Sequence, residues 1–173
     1  MNATTNSINV VAAIGLAVGA LFGMAGTFVS QTNIQALLWA IDGSALVMAT
    51  ALLSLKYFRT GHDVVAGGFL VFAIAEAVLM SGTAAGPVAS VPAFAAGTAL
   101  WAVALLLVSI PGHFPLPVRV VGCASAILFA TVALRIFWGE QLLPTSAPLP
   151  FFAYPFLVLT FIGWIWSLLR ERA

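Results

Sequence analysis

Six apolar runs dominate the chain, at roughly 9–29, 34–55, 64–85, 91–110, 118–139 and 150–169. Each is about 20 residues long, and at a rise of about 1.5 Å per residue a helix of that length crosses a ~30 Å hydrocarbon core. Helices are forced on such runs because lipid offers no partner for an unpaired backbone N–H or C=O. Composition points the same way: 62% of residues are hydrophobic and only 6% charged, against about 25% charged in an ordinary soluble domain. The expected fold class is therefore an all-α integral membrane protein of six transmembrane helices, one domain over 1–173, with the lipid bilayer as its main partner. A net charge of +1 by itself carries no message about nucleic acid; where the charges sit does, and no nucleic-acid partner is expected.

The segments between the runs are rich in breakers: "SQTN" at 30, "FRTGHD" at 58, "GTAAGPVASVP" at 82, "PGHFPLP" at 111 and "GEQLLPTSAPLP" at 139. "MNATTNSIN" lacks a basic n-region, and the apolar run after it is too long for a cleavable signal, so that run reads as the first span. Lys56 and Arg59 lie between spans two and three, Arg119 between spans four and five, and Arg170 and Arg172 after span six. Placing both termini on the cytoplasmic side puts all five there, as the positive-inside rule asks. The expected location is a bacterial inner membrane. Trp138, Phe151, Phe152 and Tyr154 then fall near the outer interface, and Tyr57, Trp164 and Trp166 near the inner one. Pro155 should kink span six or mark a late helix start. Cys123 is a lone cysteine expected to act as a small buried hydrophobe.

The chain repeats itself. "VVAAIGLAVGALF" at 10, "VVAGGFLVFAIAE" at 64 and "VVGCASAILFATV" at 120 are 54 and 56 residues apart, and Tyr57-Phe58 and His113-Phe114 end two returning spans, again 56 apart. Three parallel helical hairpins are the expected arrangement. Small residues line parts of the spans: Gly15, Gly19, Gly23 and Gly26 in the first, and Ala36, Ala40 and Gly43 in the second. Such faces let helix backbones approach closely. Packing within the bundle is the simpler reading, though a homo-oligomer or a partner membrane subunit stays open.

On "VVAGGFLVFAIAEAVLMSG" at 64, the Gly-Pro at 86 and the three-hairpin, six-span plan, the chain resembles the HdeD-type acid-resistance membrane proteins of bacteria. The resemblance implies a non-enzymatic, stress-related inner-membrane protein and brings no catalytic residues. Six spans in a chain of this length are also similar to the substrate-capturing subunits of vitamin importers.

Three ionisable residues fall inside the spans, where each costs about 2.5–3.5 kcal/mol on insertion scales: Asp42, Glu76 and Arg135. Asp42 lies roughly 12 Å below the outer start of span two, Glu76 roughly 14 Å and Arg135 roughly 6 Å below the outer ends of theirs. One comes from each hairpin. A guanidinium can serve two carboxylates, so Arg135 is expected to reach Asp42, Glu76 or both. One negative charge is then left over, to hold a proton or to meet water or a cation. Gln35 lies on the face of Asp42, with Gln31 and Asn33 above it and Glu140 and Gln141 on the opposite lip.

Two readings follow. In one, the chain is non-enzymatic and has an outward-facing polar pocket that binds or passes a small solute, cation or proton, with Asp42, Glu76, Arg135 and Gln35 as its residues. In the other, the chain is an accessory subunit and the ion pair only locks packing. A vitamin-type import subunit is a further alternative. No metal site or cofactor is expected: His62 and His113 lie in separate loops, Met24, Met48 and Met80 read as core filler, and Ser44 lies on a different side of the helix from Asp42.

Overall fold

The computed structural model describes residues 3–83, 86 and 88–170, with side chains from Ser7 onward. Ala84, Ala85, Pro87 and Arg172, which figure in the sequence readings above, lie outside these residues. Among the described residues there are six long helices: α1 Ala3–Phe28, α2 Thr32–Arg59, α3 Asp63–Thr83, α4 Val91–Ser109, α5 Leu116–Phe137 and α6 Tyr154–Arg170. A 3-10 turn, Phe151–Ala153, leads into α6. All six helical segments are long and apolar enough to cross a membrane, as expected of a multi-pass membrane protein. No strand occurs among the described residues.

Local chemistry sets the helix ends. Pro92, Pro117 and Pro155 all fall in the first turn of their helices, where a missing N–H costs nothing. Pro155 therefore marks a late helix start rather than a kink. Between α2 and α3 the chain reverses in three residues. Gly61 sits there at φ +75°, a conformation open mainly to glycine, and Asp63 opens α3 with a negative charge at its positive end. Arg119 closes α4: its Nε donates to the Ser109 carbonyl at 2.8 Å and a terminal nitrogen to the Ile110 carbonyl at 2.7 Å. A cation thus meets carbonyls that the helix leaves unpaired.

Each helix packs on its neighbours in sequence, and α6 closes the ring against α1 and α5. The Asn9 side chain ties α1 to α6 by donating to the Leu168 carbonyl at 3.1 Å. The glycines of α1 face α2: a Cβ on Gly15 would fall 2.8 Å from that of Ala49, and Gly19, Gly23 and Gly26 lie against Leu46, Asp42 and Trp39. Intramolecular packing thus accounts for this face. The second small-residue set divides. Ala36 lines a cavity, Ala40 is exposed and Gly43 lies against Met80.

Aromatic side chains fill the middle of the ring. Phe69 meets Trp164 at 4.9 Å between centroids, Trp164 meets Phe161 at 5.5 Å, and Phe72 bridges Phe161 and Trp101 at 5.7 and 5.9 Å. Tyr57, Trp164 and Tyr154 turn inward rather than marking interfaces: the first two are fully buried and Tyr154 lines the cavity. Trp138, Phe152 and Trp166 remain exposed. Cys123 is only partly buried.

Candidate functional site

Above the aromatic column lies a cavity of about 260 Å³, at the end of the bundle that carries the α1–α2, α3–α4 and α5–α6 connections. Side chains of α1, α2, α3, α4 and α6 form its walls, and Leu143, Pro144 and Thr145 of the last connection lean over it. Phe161, Trp101 and Leu157 lie at its deep end, continuous with the packed column.

Asp42 and Glu76 both line this cavity. Asp42 is half-buried and owes its place to α1. A Cβ on Gly23 would lie 2.8 Å from Asp42 Oδ2 and one on Gly19 3.3 Å from Oδ1, so the two glycines leave the niche that the carboxylate occupies. Glu76 is almost fully buried, at 2% exposure. Its Oε1 accepts a hydrogen bond from Trp101 Nε1 at 2.9 Å. Gly43, one residue from Asp42, sits against Met80 and, at 3.8 Å from its Cβ position, Glu76 Oε2, which brings the α2 and α3 carboxylates to the same wall.

The expected reach of Arg135 to these carboxylates is not made. Arg135 stands at the last turn of α5, the one long helix absent from the cavity wall. It pairs instead with Glu140: Nε lies 3.0 and 2.9 Å from the two carboxylate oxygens and a terminal nitrogen 2.5 Å from Oε2. The reason is local. Helix α5 ends at Phe137, and the turn through Gly139 at φ +101° brings Glu140 back, its amide donating to the Arg135 carbonyl at 3.1 Å. A partner five residues away costs far less chain ordering than one across the ring. No Lys, Arg or His lines the cavity among the described residues.

Gln35 does line the cavity, but its amide nitrogen donates to the carbonyls of Gly26 and Val29 at 3.0 and 3.2 Å. It caps the end of α1, where such carbonyls lack helical partners. Three other polar side chains of the wall are similarly engaged. Thr27 donates to Met24 and Thr83 to Leu79 within their own helices, and Tyr154 donates its hydroxyl to the Pro144 carbonyl at 2.9 Å, fastening the last connection over the cavity.

Trp101, Tyr154 and Trp39 are site residues that sequence reasoning missed. For Trp101 a signal existed: it lies ten residues into α4, roughly 15 Å, the depth estimated for Glu76. At the opposite end of the bundle, His62 and His113 come from separate loops yet stand 4.4 Å apart between ring centroids, beside Tyr57 at 6.2 and 4.8 Å. No cluster of three or more metal-ligating side chains occurs among the described residues.

The Arg135 guanidinium holds the Glu140 carboxyl below its usual value of 4.5. A depressed carboxyl stabilises the folded state above its unfolded value, and that contribution disappears as pH falls through the folded value. Below about pH 4.5 the wild type should therefore lose a small increment of thermal stability that Glu140→Gln never had. Because the pair is open to solvent, the two proteins should melt nearly together at pH 7. Melting curves in detergent across pH 3–7 test this, and a large difference at neutral pH would contradict it.

Comparison of the chain with protein-family models, with curated proteins and with solved structures returns no match.

Proposed function

We propose that the chain is a non-enzymatic membrane protein whose cavity opens to the outside of a bacterial inner membrane and binds a small solute, cation or proton. One observation carries this reading: two carboxylates from different helices line one cavity that no basic side chain enters among the described residues. A buried pair that merely locked packing would bring its own cation, because an unmatched charge in low dielectric is costly. Here Arg135 is engaged with Glu140, so charge balance at Asp42 and Glu76 is left to a proton or to something that enters. The packed aromatic column beneath closes the deep end, so the geometry favours binding over free passage. Asp42 and Glu76 are the ligand groups in this reading, and Gln35 and Arg135 support the walls and the rim. The three-hairpin repeat, the cytoplasmic termini and a stress-related role like that implied by the HdeD resemblance belong to the same proposal.

Thiol accessibility tests it. With Cys123 replaced by Ser, Gln35→Cys and Asp42→Cys should react with a membrane-impermeant thiol reagent added outside intact cells. Ser44→Cys, on the exposed face of α2, should not. An unreactive cysteine at both 35 and 42 would leave the accessory-subunit reading in its place.

A further inference from the structure

The cavity's walls narrow the class of ligand. We infer that the site takes an organic ammonium ion with an apolar body, its charge met by Asp42 and Glu76 and its body lying against Trp39, Trp101 and Phe161. The inference rests on the reading of the cavity as a ligand site and deepens it.

Size argues first. A bound water needs only about 10–15 Å³ of such space, so a cavity of about 260 Å³ is far larger than a proton or a lone metal ion requires. Wall chemistry argues second. Calcium wants six to eight oxygen ligands and magnesium a near-octahedral set. Most of the wall is apolar, with Ala20, Leu46, Leu79, Leu157, Val158 and Phe161 among its side chains. What the deep half offers is two carboxylates among aromatic rings. Ring faces attract a cation, and most strongly when both are withdrawn from water. Such rings also supply the apolar contact that a hydrated metal ion would not use. Met24 and Met80 add soft, adaptable wall. The indole N–H of Trp101 is committed to Glu76 Oε1, which holds the carboxylate and the ring in one fixed arrangement before any ligand arrives. That preorganisation lowers the ordering cost of binding.

The test uses the purified full-length chain and four probes: benzyltrimethylammonium, tetramethylammonium, benzyl alcohol and sodium chloride, with binding followed by calorimetry and by tryptophan fluorescence. Benzyltrimethylammonium should bind at least tenfold more tightly than tetramethylammonium, which lacks the ring, and than benzyl alcohol, which lacks the charge. Sodium at tenfold excess should not displace it. Asp42→Asn and Glu76→Gln should each weaken benzyltrimethylammonium at least tenfold and leave benzyl alcohol unchanged. The wild-type series needs no variant, so a misfolded mutant does not remove the test. Amine-headed lipids carry the same ammonium chemistry. A loss of affinity on moving from phosphatidylglycerol to phosphatidylethanolamine nanodiscs would identify the lipid headgroup as ligand, and an unchanged affinity a soluble amine. Sodium binding without preference for the organic cation would overturn the ammonium inference and leave the outward cavity standing. Absence of all cation binding would overturn it too, and thiol accessibility at positions 35 and 42 would then decide separately whether the cavity reading survives.

Discussion

Trp164→Ala should destabilise the bundle by about 3 kcal/mol or more, the size of effect seen for large aromatic truncations in packed cores. Trp164 is 1% exposed and touches four rings, Phe69 at 4.9, Phe161 at 5.5, Phe72 at 6.2 and Phe114 at 6.3 Å between centroids. In a bilayer the separated helices already lie in hydrocarbon, so transfer from water contributes little and packing must supply the stability. What truncation removes is therefore the dispersion contacts and aromatic pairs, with roughly 24 cal/mol added per Å³ of void. Trp166 is the control. It is 43% exposed and, among the described residues, stacks only under Arg170, 4.0 Å from its centroid, so Trp166→Ala should cost about 0.5–1 kcal/mol. Denaturant titration in detergent measures both. Equal costs for the two substitutions would mean that the aromatic column is not the packed centre of the ring.

Trp101→Phe should cost about 1–3 kcal/mol although it preserves the aromatic ring. The ring packs on Phe129 at 4.9 Å and on Phe72 at 5.9 Å, and phenylalanine retains much of that contact. What it loses is the N–H donated to Glu76. An acceptor left buried without its donor pays its desolvation penalty, whereas removing both partners can be nearly neutral. The double variant Trp101→Phe/Glu76→Leu should therefore recover most of the loss. A thermodynamic cycle in detergent reads the coupling directly. Additive costs would show that the indole–carboxylate bond contributes nothing to stability. The same bond holds Glu76 against the cavity wall, so the single variant should also weaken benzyltrimethylammonium binding, while Trp166→Ala should not.

Arg135 shows where sequence reasoning ran short. Depth along a helix is readable from residue counts, and on that measure Asp42, Glu76 and Arg135 belong together. Azimuth around the bundle is not readable in the same way. Arg135 stands on the one long helix that forms no part of the cavity wall, and Glu140 is close in sequence once the chain turns at Gly139. Asp42 and Glu76 meet because α2 and α3 are adjacent antiparallel helices joined by a three-residue turn at Gly61, a relation that the short loop already implied. Trp101 reaches Glu76 by the same logic one hairpin on. Positions near span ends point Tyr57 and Trp164 to an interface, yet both are buried, because a ring of six helices needs bulky side chains at its axis.

From its sequence alone, this chain is bound to be helical and to suit a membrane. Six apolar runs of bilayer length in a chain with 6% charged residues leave no other way to satisfy the backbone in lipid, and prolines in the first turns mark where three of the helices begin. The order of helices around the ring, the azimuth that keeps Arg135 off the cavity wall and the cavity enclosed by α1, α2, α3, α4 and α6 were decided only by tertiary packing. Helix formation depends on hydrogen bonds between near neighbours in the chain. Which faces meet depends on small differences among many contacts between helices that are all apolar, and no local pattern of residues encodes that choice.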